Sequence, residues 1–317
     1  MSTTLDAARP PGARLLRTAG PGRFTRRALT CWSALALAVA TPVALATPAS
    51  AAAPAYHGAV GNVQELSSRT GQPLATHAYA QFSSQVPEGR MITVRTSATW
   101  RQVAAAGPGS ALYNDIVRWA RTIKARPNPV MFAYHHEPEA SGSGRHGTAA
   151  DFIAAYRRVV SIFRAEGVQN VEFTWQMTEY AFRVPASDAR SAGRWYPGDG
   201  YVDNVGADAY NWSDCGHGKN RWVELSTMAD PVVAFARAHG KRASLPEFAA
   251  DPDSRRAQWL QNAHQYLAAH AGEITAAFYF HRGPTNPANQ DCSWALTTQT
   301  EFKAYGDMAR DTSRFRP

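Results

Sequence analysis

From Tyr56 onward, short runs of apolar and β-branched residues alternate with polar turns and with segments whose apolar residues recur at helical spacing. Eight runs predict strands, at 57–60, 76–82, 91–95, 130–135, 171–176, 202–209, 242–245 and 275–280. The helical signals between them differ in kind. Thr148 and Asp151 form a capping pair, and Phe152, Tyr156, Val159 and Phe163 then line one face. Ser110 caps a segment carrying Leu112, Ile116, Trp119 and Ile123, and 257–270 places Trp259, Leu260, Ala263 and Leu267 on one side. Trp119 and Trp259 are therefore core candidates. A short helix is expected near 63–68, whereas 95–110 gives no clear assignment. Eight strands alternating with helices predict an α/β fold, a (β/α)8 TIM barrel.

The start of the chain reads differently. Arg23, Arg26 and Arg27 precede an apolar run over 34–46, and Ala49-Ser50-Ala51 follows. This is the order of a secretory signal peptide over residues 1–51, and the paired arginines also suit twin-arginine export. The run is too short, and too broken by Pro42, to span a membrane. Its removal leaves residues 52–317, 266 of the 317, as a single catalytic-size domain.

Charge changes the picture only until the signal is set aside. The full chain carries +8, but residues 1–51 hold six arginines and one aspartate, so the mature domain is near +3. A nucleic-acid partner is not indicated, nor a membrane partner after cleavage. Of three cysteines, Cys31 falls in the signal; Cys215 and Cys292 are expected to pair in an oxidising compartment, joining the loop after Tyr210 to the loop before Trp294.

The candidate chemistry centres on Val130-Met131-Phe132-Ala133-Tyr134-His135-His136-Glu137-Pro138-Glu139, a buried-type strand that runs into carboxylates. Parallel barrels present catalytic groups at the C-terminal ends of their strands, which makes Glu137 the first candidate. A solvated loop position is the other reading of Glu137 and Glu139. The second candidate is Glu247, in Leu245-Pro246-Glu247-Phe248, 110 residues on. Glutamates ending the fourth and seventh strands face one another across a barrel mouth, and a carboxyl pair is what glycoside hydrolysis requires. Glu179 and Asp208 compete for the role; Asp208 is expected to hydrogen-bond inside the mouth. The neighbouring rings of His135 and His136 point to opposite sides of a strand and lack helix-borne metal spacing, so no metal and no cofactor are indicated. Sugar rings expose flat C–H faces, which makes Trp175, Trp195, Trp212 and Trp294, at strand ends or in loops, candidate platforms. The loops over 142–147 and 177–200 are candidate walls of a cleft.

With His136-Glu137-Pro138, Tyr196-Pro197-Gly198-Asp199, Val202-Asp203-Asn204-Val205-Gly206-Ala207-Asp208-Ala209-Tyr210 and Pro246-Glu247-Phe248 in view, the chain resembles glycoside hydrolase family 26. The likeness spans Tyr56 to the C-terminus. It implies an extracellular, retaining endo-hydrolase of β-linked plant polysaccharide, β-mannan first and mixed β-glucan or β-xylan next. Position by position it implies Glu137 as acid/base, Glu247 as nucleophile, His136 as the histidine before the acid, and Tyr210 as the tyrosine touching the nucleophile. The early strands carry no matching motif. The expected protein is a secreted monomer acting on polysaccharide or oligosaccharide; a catalytically inactive carbohydrate-binding barrel, or a hydrolase of a bacterial cell-surface glycan, are the alternatives.

Overall fold

The computed structural model describes residues 54–317 apart from 141–144, 217, 219 and 284–291. The expected signal over 1–51, Cys31 and part of the 142–147 loop lie outside the described residues. Eight parallel strands close on themselves: β1 (Ala55–Gly61), β2 (Ala75–Gln81), β3 (Met91–Arg95), β4 (Val130–Tyr134), β5 (Val171–Thr178), β6 (Asn204–Asn211), β7 (Arg242–Ala250) and β8 (Ile274–His281). They pair in chain order, and β1 joins both β8 and β2. This is the expected (β/α)8 barrel. A two-residue β9 (Phe315–Arg316) adds to the start of β1.

The helices are α1 (Val63–Thr70), α2 (Trp100–Ala104), α3 (Ala111–Lys124), α4 (Ala149–Ala165), α5 (Ala192–Trp195), α6 (Leu225–Ala238), α7 (Arg256–Ala269) and α8 (Gln299–Arg310). Four of them, α2, α3, α4 and α8, start at side-chain caps written in the chain. Ser110 accepts a bond from the Tyr113 amide, and the reciprocal pair of Thr148 and Asp151 opens α4. Along α4, Phe152, Tyr156, Val159 and Phe163 are all buried, and Phe163 meets Phe132 of β4 at 4.8 Å between ring centres. Each such side chain contributes roughly 1.5–3 kcal/mol by leaving water. Trp119 and Trp259 are core residues as expected.

The 95–110 stretch holds α2, capped reciprocally by Thr99 and Gln102. One turn is too short to show a period, which is why the pattern gave no assignment. Helix α6 contains Pro231, a residue that the sequence rules treat as a breaker.

Strand β7 departs furthest from expectation. It continues past 245 through Pro246 and Glu247 to Ala250. Against β6, Gly206 pairs with Ser244 but Asp208 with Glu247, so β7 carries one extra residue there, a bulge. A Cβ on Gly206 would lie 2.9 Å from Pro246 Cγ and 2.9 Å from Thr174 Cγ2, so only glycine admits the kink. The bulge re-aims Glu247 at the mouth. No helix among the described residues is long and apolar enough to cross a membrane.

Candidate active site

Strand β4 ends abruptly. His135 and Glu137 both adopt the left-handed backbone region, at φ 53° and 46°, although neither is glycine. Such conformations cost about 1–2 kcal/mol each and persist where surrounding bonds over-determine them. Here the His135 amide donates to Val94 O at 2.8 Å and the Glu137 amide to Gln176 O at 3.0 Å, so the neighbouring strands β3 and β5 hold the turn. Glu137 stands half-buried at the end of the barrel strand. Burial, then the charges of Glu247 and Glu139, push its carboxyl up to about 8, against a smaller opposing pull from Arg95.

Glu247 lies in the same mouth, buried, with each carboxylate oxygen bonded to a phenol. Tyr210 from β6 donates to Oε2 and Tyr79 from β2 to Oε1. Burial raises the pKa of Glu247, while these two hydroxyls and Arg95 counter it. Two neighbouring carboxyls thus sit in unlike surroundings. Glu137 holds its proton at neutral pH, and the oxygens of Glu247 accept two phenol hydrogen bonds that favour its anion against burial.

Around the pair, Arg95 at the end of β3 lays its guanidinium against both ring nitrogens of His136, with Nε 3.2 Å from Nδ1. Burial and then that cation hold His136 well below its ordinary pKa, so it is neutral. The Tyr79 ring meets His136 edge-on at 4.9 Å. Tyr79 is 37% exposed while its hydroxyl reaches Glu247, so an aromatic surface opens directly beside the carboxylate. Beneath, the Gln176 amide nitrogen is 2.8 and 2.9 Å from the two oxygens of Asp208, and Thr93 Oγ1 is 2.8 Å from the amide oxygen. His77 continues the row, at 2.8 Å from Thr93 Oγ1 and 2.9 Å from Pro246 O.

Several expected residues are placed elsewhere. Trp175 is fully buried against Phe182, Tyr196 and Phe235, because its position on β5 faces the helices rather than the mouth. Trp195 packs on Trp100 and Phe152 and gives its indole N–H to Ala189 O. Neither is a sugar platform. Trp212 is half-buried and Trp294 buried; both rings pack on Tyr210, at 5.8 and 4.7 Å. Glu179 is neutralised by Arg183 at one helical turn's distance. Glu139 is not a solvated loop carboxylate: it is buried, accepts bonds from the amide and hydroxyl of Thr178, and is pushed up to about 7 by burial. Cys215 and Cys292 form the expected disulfide, which pins the loop after β6 to the stretch before Trp294. Among the described residues, no three His, Cys, Asp or Glu side chains are grouped to hold a metal ion.

Tyr79, Arg95, His77, Thr93 and Gln176 were not singled out from the sequence. A signal existed for the first and third: His77 and Tyr79 occupy alternate positions of one strand, where a polar pair facing one side marks a wet barrel interior.

On the same face, between the ends of β1 and β8, a cavity of about 490 Å³ is lined by Gly61, Asn62, Glu65, His281 and Arg282 among others.

The family model for Glycosyl hydrolase family 26 matches residues 100–282. Endoglucanase H of Acetivibrio thermocellus is 28% identical over 200 residues, which is 60% of this chain and 21% of that protein. Beta-1,3-xylanase TXYA of a Vibrio species is 26% identical over 187 residues, 59% of this chain and 36% of that one. The chain thus spans about a fifth and a third of the curated relatives it matches. Among solved structures, GH26C of Muricauda sp. MAR_2010_75 superimposes with a TM-score of 0.53 at 14% identity, covering 84% of this chain and 88% of that one, which reflects a shared fold.

Proposed function

The chain belongs to glycosyl hydrolase family 26, and from that premise we propose that it is a secreted, retaining glycoside hydrolase of β-linked polysaccharide, with β-1,4-mannan or a related β-glycan as substrate. The observation that carries the reading is the unlike pair of carboxyls: Glu137 pushed up to about 8 by burial and by its carboxylate neighbours, Glu247 bonded by two phenols.

In the first step Glu137 gives its proton to the glycosidic oxygen while an oxygen of Glu247 attacks the anomeric carbon. The C–O bond to the leaving sugar breaks and a glycosyl ester forms on Glu247. Esterification removes the charge of Glu247, which lowers the pKa of Glu137 and readies it as a base. Glu137 then takes a proton from water, the oxygen attacks the same carbon, and Glu247 leaves as carboxylate. One bond is cleaved and one water consumed.

The tyrosines orient Glu247, and Tyr79 with its exposed ring offers an apolar face beside the reacting sugar. Tyr210 is fixed in turn by Trp212, Trp294 and Phe280. The choice of glycan rests on loop shape. The named relatives act on different backbones by their names, glucan for one and β-1,3-xylan for the other, so the substrate is tested as a panel.

The test is reducing-end release from β-mannan, glucomannan, lichenan, β-1,4-xylan, β-1,3-xylan and a bacterial wall preparation, with Glu137→Ala and Glu247→Ala alongside. Activity on one glycan that falls by several orders of magnitude in both variants supports the pair. Activity that survives either substitution removes that residue from the mechanism. Binding without turnover by the unsubstituted protein points to a carbohydrate-binding barrel.

A further inference from the structure

Gln176, on β5, reaches both members of the carboxyl pair, yet neither step of the mechanism uses it. Its backbone carbonyl accepts the Glu137 amide at 3.0 Å, which helps to hold the left-handed turn after β4. Its side chain meets the other glutamate through a third residue. The amide nitrogen Nε2 lies 3.4 Å from the Tyr79 hydroxyl, and that hydroxyl donates to Glu247 Oε1.

The orientation of the amide follows from what surrounds it. Three oxygens stand at its nitrogen: the two of Asp208, at 2.8 and 2.9 Å, and that of Tyr79. One donor, the Thr93 hydroxyl at 2.8 Å, stands at its oxygen. Turning the amide over would set oxygen against the two Asp208 oxygens and take the N–H away from Tyr79. The nitrogen is therefore held where it is, with two protons to place. One spans the Asp208 carboxyl, and the other is left for Tyr79. Gln176 is 2% exposed, so bulk water does not compete for either.

The two tyrosines on Glu247 are fixed by different means. The Tyr210 ring is packed by Trp212, Trp294 and Phe280, and no second hydrogen bond to its hydroxyl is found among the described residues. Tyr79 is 37% exposed, with His77 and His136 against its ring at 4.7 and 4.9 Å. An exposed phenol has one proton to give and lone pairs to fill, and water or a sugar hydroxyl can take the proton. An N–H seated on a lone pair closes that direction to the proton. Accepting one bond also polarises the O–H and strengthens the bond it donates.

We propose that Gln176 is a positioning residue for Glu247 that acts through Tyr79: its N–H occupies a lone pair of the phenol and so commits the phenolic proton to Glu247 Oε1. The bond itself exists with or without turnover. That it serves a nucleophile rests on the reading of Glu247 given above. Without the N–H, the Tyr79 hydroxyl turns its proton elsewhere for part of the time, and Oε1 loses one of the bonds that orient it.

Side-chain amide NMR of the whole protein tests the bond first. The two Nε2 protons of Gln176, assigned by their proximity to the Tyr79 ring protons, are expected as two separate resonances. Tyr79→Phe, which keeps the ring and removes the hydroxyl, should move one of them and leave the other near its place. Tyr210→Phe should move neither. Two resonances unmoved in Tyr79→Phe would overturn the proposal. Where a glycan is turned over, a mutant cycle follows, since Gln176→Met removes the N–H and keeps the carbonyl that holds Glu137. It should lower kcat/KM roughly 3- to 10-fold and move the acid limb of the pH–rate profile upward, as Tyr79→Phe does. In a Tyr79→Phe background the same substitution should cost less than about twofold, because the hydroxyl it acts through is gone. An equal loss in both backgrounds would mean that Gln176 supports the barrel and not the phenol, and would overturn the proposal. A protein inactive on every glycan, or active without Glu247, leaves the NMR result standing, so the two readings fail separately.

Discussion

The hydroxyls of Tyr79 and Tyr210 meet on one carboxylate, each bonded to a different oxygen of Glu247. They come from β2 and β6, strands at opposite parts of the barrel, so the nucleophile candidate is gripped across the mouth rather than from one wall. A carboxylate with both oxygens engaged is held in one orientation, and the two bonds oppose the burial that raises its pKa.

That grip gives the first prediction. Tyr79→Phe and Tyr210→Phe each remove one charge-assisted hydrogen bond, worth about 1.5–3 kcal/mol. kcat/KM should fall roughly 10- to 100-fold in each. The signs are fixed as well: these bonds lower the pKa of Glu247, so the acid limb of the pH–rate profile should move upward in either variant. A loss of rate with an unmoved acid limb would show that the tyrosines touch substrate but do not hold the anion.

Arg95 pulls down the pKa of both Glu137 and Glu247. The proton that Glu137 delivers should therefore be lost at about pH 8, and activity with it. In Arg95→Met this alkaline limb should shift upward, because the cation that favoured the anionic form is gone. The acid limb should rise with it and narrow nothing. His136, relieved of its cationic neighbour, should become easier to protonate. Initial rates across pH 4–10 decide both limbs.

The barrel was legible because its determinants are local. Capping pairs at Thr148 and Ser110 and the apolar stripe of α4 sit within a few residues of what they specify. The glutamates stood out in the sequence for a related reason, since Glu137 follows a buried-type run and Glu247 follows one interrupted by Pro246. The partners of Glu247 did not, because what brings Tyr79 to it is closure of the sheet, 168 residues away in sequence. Trp175 and Trp195 pack away from the mouth, for Trp175 because of the face it takes. Position at a strand end does not say which face a side chain takes, and Trp175 takes the outer one, against Phe235 of α6. The extra residue in β7 was equally hidden, as Pro246 reads as a strand terminator until its neighbour on β6 is seen to be Gly206.

The disulfide of Cys215 and Cys292 closes a loop of 77 residues in sequence separation. Loop-closure entropy puts its contribution at about 4 kcal/mol. Cys215→Ser with Cys292→Ser should lower Tm by several degrees, and reductant should act on the unsubstituted protein but not on this variant. Since Trp212 and Trp294 flank the bridge and pack on Tyr210, the variant should also lose rate at temperatures well below its Tm. Calorimetry with and without reductant, beside initial rates, separates the two effects.

Two groups with displaced pKa values should tilt stability with pH in opposite directions. The ring of His57 packs on Tyr305 at 4.5 Å with neither nitrogen hydrogen-bonded among the described residues, and burial lowers it from 6.5 to about 3. Between those values the unfolded chain binds the proton and the folded one does not. Stability is therefore full above pH 6.5 and falls as pH drops, by up to about 5 kcal/mol at pH 3. Glu137 works the other way. Its folded pKa is raised to about 8, so the folded state holds a proton that the unfolded state releases near 4.5. Its contribution is full below pH 4.5 and is lost as pH rises to 8. His57→Phe should accordingly raise Tm at pH 4–5 and leave it nearly unchanged at pH 8. Glu137→Gln should raise Tm at pH 8, by on the order of 2 kcal/mol in stability, and do little at pH 4. Melting curves of both variants at the two pH values give four numbers with a required pattern. If Glu137→Gln instead stabilised equally at both, its carboxyl would not be the protonated group that donation to a leaving oxygen requires.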